Sequence, residues 1–339
     1  MDCPPPDKGG GLRPMKLMAF LFNLLEPVFR LGQRVLGLQR LGWMFVAPNL
    51  IVFGVFCFLP IAINVLYATS GGVNLIPLQR PFTGIENFQI LFECRDYSDI
   101  STCRKDVFWR AIFNTAQFSV IQVTLMVFFA LLTALVLNRK IIGRGFWRGV
   151  FFYPVLLSPV MVALIWKWLL QRNGVFNAAL IGLDWQPVEW LTQARPAFFW
   201  TIFVSIWAHM GFYTLILLAG LQAIPRDLYE AAKMDRASAW RTLTRITLPL
   251  LMPNLVVVFV LAAIRAVQIF DEVFVLTGGG PGSATTFIVQ FIYQTGFAEQ
   301  IHLYGLAAAA SLTLAVFLIL LTLVQLQLTR ANELGAKGR

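Results

Sequence analysis

Long apolar segments alternate with short polar ones along most of the chain. A transmembrane helix needs about 20 predominantly apolar residues. Six segments meet this requirement: 43–67, 111–137, 149–170, 197–221, 253–276 and 304–328. Prolines inside them are tolerated, because neighbouring helices can satisfy the carbonyls that a proline leaves free. The pattern predicts an all-α integral membrane protein with six transmembrane helices.

The first forty residues follow a different pattern. Residues 15–37 are apolar but interrupted by Glu26, Arg30 and Arg34, which is typical of an amphipathic helix lying at the membrane surface. No small-residue cleavage site follows a short apolar core, so this is not a signal peptide. We predict a cytoplasmic or interfacial arm at 1–40, a transmembrane domain at 41–330 and a cytoplasmic tail at 331–339.

Composition supports a membrane location. Of the 339 residues, 58% are hydrophobic and 13% are charged, whereas a soluble chain has roughly 25% charged residues. The net charge of +10 would suggest nucleic acid in a soluble protein. Here no basic stripe with interleaved aromatics stands clear of the apolar segments. We therefore expect lipid, and not nucleic acid, as the partner of this surface.

The distribution of lysine and arginine predicts the orientation. Eighteen of them lie in the N-terminal segment, the loops after the second and fourth spans, and the tail, whereas the alternate loops hold seven. Cytoplasmic loops of membrane proteins carry the excess of basic residues. Both termini are therefore predicted to lie in the cytoplasm.

The chain lacks the common motifs of catalytic and metal sites. There is no GxxxxGK[ST], HExxH, GxSxG or CxxC, and the glycine run at 278–282 has no accompanying lysine. The two histidines, His209 and His302, are too few for a multi-histidine metal site. We expect no enzyme active site, cofactor or metal in this chain, so any energy source must come from a partner.

Two cysteines share the first outer loop. Cys94 and Cys103 lie nine residues apart, and an oxidising compartment would allow them to pair. Closing so short a loop would contribute about 2–3 kcal/mol to local order. A pair of free thiols is the alternative.

The loop after the fourth span, residues 222–250, predicts a cytosolic amphipathic helix. Apolar and small residues recur at helical spacing from Leu228, and Asp227 suits the positive end of a helix. Such a helix, held between two spans, would transmit the docking of a partner to both. Periodicity alone fits a helix lying on lipid headgroups equally well.

Sequence resemblance separates these two interpretations. The loop resembles the EAA loop of binding-protein-dependent ABC importer permeases, and within them of the maltose-type sugar permeases. It matches at Glu230, Ala231, Ala232, Asp235, Ala237 and ITLPL at 246–250. Further matches follow in family order from about residue 43, among them ENFQILF, FNTAQF, LLAGLQAIP, IFDEVFVLTGGGPGSATT and YGLAAAASLTL.

The resemblance implies roles for individual residues of the loop. Glu230, Ala231, Ala232 and Asp235 would lie on the coupling helix that enters a groove of the ATPase subunit, with Glu230 near an ATPase arginine. Arg236 stands where the family pattern has glycine. We expect Arg236 to adopt a negative φ, because glycine alone tolerates positive φ without cost, and to add a charge contact to the ATPase.

The resemblance also implies an assembly and a substrate class. A type I importer of a bacterial inner membrane contains a second, related permease, two ATPase subunits that bind ATP and Mg, and an extracytoplasmic solute-binding protein. The expected substrate is a sugar or a sugar derivative, with a glycerol-phosphate-type anion as the alternative. Two alternatives belong to other functional classes: a secondary transporter and a membrane-embedded structural or signalling subunit. A secondary transporter would need coupling carboxylates within its spans, and Asp271 and Glu272 are the only carboxylates in the predicted spans.

Five residues are predicted to line the substrate path: Ser158, Ser205, Trp207, His209 and Arg265. His209 lies twelve residues before the end of the fourth span, and Arg265 twelve residues after the start of the fifth. At about 1.5 Å per residue both are roughly 18 Å deep. An arginine at mid-depth costs at least about 2.5–3.5 kcal/mol unless it faces protein or water. Pairing of Arg265 with Asp271 or with a neighbouring subunit is the alternative.

Overall fold

The computed structural model describes residues 41–139 and 141–337. Within these residues no β-strand forms, and strand-like pairing is limited to isolated bridges at Ser70–Phe82 and Cys94–Cys103. The predicted all-α class is confirmed. The predicted arm at 1–40, with its interfacial helix at 15–37, lies outside the described residues. The described residues divide into two compact units, one up to Asn64 and one from Val65 onward.

Twelve α-helical elements follow one another along the described chain. Two of them contain a π-helical turn, at Gly54–Phe58 in α1 and at Leu243–Thr247 in α9, and a third such turn, Gln294–Ala298, follows α11. The elements are α1 (41–68), α2 (Glu86–Phe92), α3 (Asp106–Asn138), α4 (Arg144–Phe152), α5 (Pro159–Leu170), α6 (Val175–Gly182), α7 (Ala194–Ala223), α8 (Arg226–Met234), α9 (Ala239–Val267), α10 (Asp271–Leu276), α11 (Ile288–Tyr293) and α12 (Tyr304–Lys337).

Five helices in the described part of the chain are long and apolar enough to cross a membrane. They are Val46–Ala68, Asp106–Asn138, Ala194–Ala223, Ala239–Val267 and Tyr304–Gln327. Each corresponds to a predicted span, although the helices extend beyond several of the predicted limits. Helix α12 continues to Lys337 through most of the segment predicted as a tail.

The third predicted span, 149–170, is not one straight helix. The segments Arg144–Leu156 and Pro159–Gly182 meet at an angle of 102°. Ser158 between them is extended, with ψ of 139°, because a residue that precedes a proline is disfavoured in the α region. Pro159 then fits the first turn of the next helix, where its missing N–H costs nothing.

The fifth predicted span, 253–276, was placed too far along the chain. Helix α9 begins at Ala239 and ends at Val267, and a separate short helix follows at Asp271–Leu276. Pro253 lies inside α9, not at its start. The break at 268–270 separates the apolar helix from two adjacent carboxylates, which occupy the first turn of α10 and are favoured by the positive end of its backbone dipole.

The largest core lies between α3, α7 and α9. Buried side chains from these helices include Phe118, Met126, Leu217 and Leu251. At Gly220 a Cβ atom would approach the Asn254 side chain within 2.5 Å, so the absence of a side chain brings α7 against α9. Small residues at such contacts stabilise helix pairs in membranes, because the backbones can approach closely.

Candidate functional site

Helix α8 lies at the end of α7 and is anchored by one face. Ala232 is buried, and Tyr229 packs against the main core. The Tyr229 hydroxyl lies 3.2 Å from the Thr247 hydroxyl of α9. Glu230 and Ala231 lie on the exposed side. Helix α8 is therefore connected to α9 by a side-chain contact, while Glu230 and Ala231, two of the residues that match the EAA loop, remain accessible.

The turn after α8 corrects the expectation for Arg236. Its φ is +51°, in the left-handed region, and not negative. The Asp235 and Ala237 amides bond to the Ala231 and Ala232 carbonyls at 3.0 and 2.9 Å, respectively. Helices commonly end with one left-handed residue because this geometry satisfies the last carbonyls. The hydrogen bonds of the helix end therefore impose on Arg236 the conformation that glycine would adopt without strain.

The surface of this segment is open. Among the described residues, no charged side chain between 226 and 245 forms an ion pair. Three large apolar side chains are also exposed, Leu228 by 41%, Met234 by 85% and Trp240 by 74%. Charges without pairs beside exposed apolar groups are properties of a surface that contacts a protein partner or the membrane.

The break between α9 and α10 borders a cavity of about 210 Å³. Its lining combines residues of α3, α7 and α9 with the break itself and the start of α10. The lining residues that matter here are Gln122, Ser205, Arg265, Gln268, Asp271 and Glu272. A polar cavity at the edge of an apolar helix bundle is a candidate path for a polar solute.

Three ionisable side chains from α7, α9 and α10 meet beside this cavity. The Glu272 Oε1 atom lies 3.4 Å from both Arg265 Nη2 and His209 Nε2. Arg265 also contacts the His209 ring directly, and the other ring nitrogen lies 2.9 Å from the Ser205 carbonyl. The side chain of Glu272 is 6% exposed and that of Arg265 is 47% exposed. Arg265 is thus bonded to other helices while half of it still faces the cavity.

The structure brings together three of the five residues predicted for the substrate path. Ser205 and Arg265 line the cavity, and His209 contacts Arg265. Trp207 packs instead against Trp166, with 5.5 Å between ring centroids. Ser158 is exposed at the bend before α5 and is not part of the lining.

Sequence reasoning missed two cavity residues. Glu272, and not Asp271, is the carboxylate beside Arg265. Gln122 contributes a buried amide from α3, and its Oε1 atom has no hydrogen-bond partner among the described residues. Both lie in apolar segments, where polar side chains are costly and usually functional. That signal alone could have identified them.

The loop between α1 and α3 is closed on itself. Cys94 and Cys103 are joined in a disulfide, and Arg104 forms an ion pair with Glu93 at 2.8 Å. The buried Arg80 side chain donates hydrogen bonds to four carbonyls between residues 70 and 74. Burial lowers the pKa of the Arg80 guanidinium from its usual value. No motif or spacing in the sequence indicates this role for Arg80.

No cluster of three or more His, Cys, Asp or Glu side chains within 41–139 and 141–337 could hold a metal ion.

Family models and known proteins agree on the family. Residues 107–333 match the model described as "Binding-protein-dependent transport system inner membrane component". A trehalose/maltose transport system permease of Thermococcus litoralis is 37% identical over 86% of this chain and 94% of its own length. A multiple sugar-binding transport system permease of Streptococcus mutans is 30% identical over 86% and 96%, respectively.

Solved structures support the same fold. A subunit of a bacterial ABC transporter involved in import of the acidic polysaccharide alginate has a TM-score of 0.71 and 25% identity, covering 92% of this chain and 99% of its own. A chain of the MetNI methionine ABC transporter has a TM-score of 0.50 and 14% identity, and therefore shows the fold alone. This multi-pass membrane protein belongs to the family of inner membrane components of binding-protein-dependent transport systems, among its maltose-type permeases.

Proposed function

We propose that this chain is the permease subunit of an ATP-driven importer that moves a sugar or a sugar-derived solute across the membrane. The observation that carries the proposal is the 37% identity to a trehalose/maltose permease across 94% of that protein. Its partners are a second, related permease, two ATPase subunits and an extracytoplasmic solute-binding protein. ATP and Mg bind to the ATPase subunits, and this chain has no ATPase site of its own.

The open surface around α8 is the proposed docking site for the ATPase. Glu230, Ala231, Asp235 and Arg236 are exposed there, so a partner reaches them without any rearrangement of the bundle. Buried Ala232 would let α8 sit close to the spans, and the Tyr229–Thr247 contact connects it to α9. A displacement of α8 would thus reach the helix that carries Arg265.

The cavity at the α9–α10 break is the proposed solute path. Ser205 and Arg265 supply hydrogen-bonding groups for sugar hydroxyls, and His209 holds Arg265 in place through its ring. Closure of the ATPase pair would switch access to this cavity from the cytoplasmic to the outer side, and the binding protein would then release its solute into it. Rigid-body motion around a central site is the general mechanism of alternating access.

The proposed orientation places both termini in the cytoplasm of the cell (inner) membrane. The eighteen basic residues of the terminal segments and of the loops after the second and fourth spans support it. The same orientation puts α8 on the side where ATP is available and the Cys94–Cys103 loop on the oxidising side.

The proposal is tested by uptake into liposomes that contain the assembled complex. We expect maltose or trehalose uptake to require ATP inside, the binding protein outside, and no ion gradient. Replacing ATP by a non-hydrolysable analogue should abolish uptake, and ionophores should leave it unchanged. Uptake driven by a proton or sodium gradient without ATP would instead identify a secondary transporter.

An anionic solute of the glycerol-phosphate type is the second candidate. The half-exposed guanidinium of Arg265 at the cavity is the observation that favours it. In the same liposomes, ATP-dependent uptake of glycerol phosphate but not of maltose or trehalose would establish this alternative.

A further inference from the structure

The ionisable groups at the cavity carry no net positive charge. The lining contains one guanidinium, Arg265, and two carboxylates, Asp271 and Glu272. The His209 imidazole touches Arg265. With a neutral imidazole the group carries one net negative charge, and with a protonated one the charges balance. An anionic ligand therefore meets no net attraction in either state.

Glu272 occupies the position that matters most for this balance. Its carboxylate is nearly inaccessible and lies 3.4 Å from the Arg265 guanidinium, whose other side faces the cavity. A buried carboxylate is retained only when it is paired. The pairing uses much of the electrostatic attraction that Arg265 would otherwise offer to a ligand, while leaving some of its N–H groups available as donors.

Gln122 contributes an uncharged amide on the α3 side of the cavity. The residue is 3% exposed, and its Oε1 atom is buried without a hydrogen-bond partner among the described residues. This wall of the cavity therefore adds no positive charge that could attract an anionic ligand.

We propose that Glu272 determines the charge selectivity of the cavity. By neutralising Arg265, Glu272 makes the cavity accept an uncharged polyhydroxylated solute, whose hydroxyls accept hydrogen bonds from Arg265, and reject acidic analogues. This inference rests on the proposed function, since it concerns the solute path of a sugar permease.

The test is equilibrium binding to the purified, assembled complex without its binding protein. The probes are maltose and the corresponding disaccharide whose non-reducing glucose is oxidised to glucuronate, so that they differ by one carboxylate. We expect the wild-type complex to prefer maltose. In Glu272→Gln the ratio of the two affinities should shift by about tenfold or more toward the acidic disaccharide, because hydrogen bonds to charged groups are the stronger ones.

Two further variants separate selectivity from general damage. Glu272→Gln combined with Arg265→Gln removes both charges, and the gain for the acidic disaccharide should disappear. Glu189→Gln is the matched control, since Glu189 also pairs with an arginine, Arg172 at 3.2 Å, but outside the cavity. This control should keep the wild-type ratio.

The outcomes distinguish the two proposals. An unchanged ratio in an assembled Glu272→Gln complex that still transports maltose would overturn the charge inference alone. A gain for the acidic disaccharide that persists in the double variant would overturn it too, because Arg265 would not be its source. Absence of any sugar uptake by the wild-type complex would instead overturn the proposed function.

Discussion

Two polar regions, one between α1 and α3 and the other comprising α8 and the first turn of α9, satisfy their side chains in opposite ways. The loop at 69–105 buries Arg80 among backbone carbonyls and closes itself with the Cys94–Cys103 disulfide. The segment at 226–242 leaves its charged side chains without ion pairs among the described residues and exposes Met234 and Trp240. The loop holds its shape through internal bonds, whereas the segment presents groups that lack internal partners.

The comparison teaches where each region obtains its stability. Exposed apolar area of this kind gains roughly 25 cal/mol for every Å² that a partner removes from water. The polar groups of the loop at 69–105 are already hydrogen-bonded within the loop, so binding of a partner would stabilise the loop less. The Arg265 cluster is intermediate, because Glu272 satisfies it internally while Arg265 remains half exposed.

The largest expected effect is at the open segment. Glu230→Lys should insert into the membrane normally but abolish transport, because the reversed charge would face an arginine of the ATPase. Losing one partner of an interfacial charge pair costs about 2–5 kcal/mol, equivalent to about 30-fold or more in affinity. Co-purification with the ATPase subunits and uptake in liposomes measure it.

The matched control for this variant is Glu299→Lys. Glu299 is also an exposed carboxylate, but it follows α11 and lies outside the open segment. We expect it to retain the ATPase subunits and wild-type uptake. A Glu230→Lys complex with a full complement of ATPase and unimpaired uptake would break the comparison.

A smaller effect is expected at the cluster of Arg265, His209 and Glu272. Arg265→Ala should lower sugar uptake by about tenfold or more, since a hydrogen bond to a charged group contributes about 1.5–3 kcal/mol, while the complex still assembles and hydrolyses ATP. It should also lower the melting temperature, because Glu272 would remain buried without its charge partner.

The double variant Arg265→Ala, Glu272→Gln separates these two losses. Removing the buried charge together with its partner should restore most of the melting temperature but not the uptake. Recovery of both would mean that Arg265 acts only as a lock between helices and does not contact the solute.

The closed loop offers a third measurement. We expect Cys94 and Cys103 to resist alkylation until reductant is added and to react fully afterwards. Replacing both by serine should cost about 2–3 kcal/mol of local order, visible as faster amide exchange at 94–103. Alkylation of both thiols without reductant would show that the loop is open.

The smallest effect concerns the turn after α8. Arg236→Gly should stabilise the turn by about 1 kcal/mol, because glycine adopts the left-handed conformation without the penalty paid by other residues. Arg236→Ala removes the charge but keeps the positive φ, and should not stabilise the turn. Amide exchange of residues 232–238 compares the three proteins. Equal stabilisation by alanine would assign the effect to charge.

Hydropathy identified the membrane-crossing segments because a span requires little more than length and apolar composition. It could not locate the bend at Ser158, since averaging over a window removes the directional effect of Pro159. Hydropathy could not locate the end of α9 for the same reason. The sequence from 253 to 276 is apolar on average, and the break between the two helices lies within it.

The candidate site was partly predictable. His209 and Arg265 were found because charged or titratable groups are rare in apolar helices. Their contact with Glu272 joins three helices and has no sequence periodicity to indicate it. The prediction of a negative φ for Arg236 was wrong for a related reason. The backbone hydrogen bonds at the end of the helix, and not the residue type, determine that angle.

The bend between α4 and α5 has a topological consequence. If the segments Arg144–Leu156 and Pro159–Gly182 together cross once, the described residues cross the membrane six times; if they turn back, these residues cross five times. An odd number would put the basic loop at 139–148 opposite the one at 226–245. Only the even number gathers all four basic segments on one face of the bilayer. The sharp turn at one proline therefore decides the parity of the whole protein, and with it which compartment receives its C-terminus.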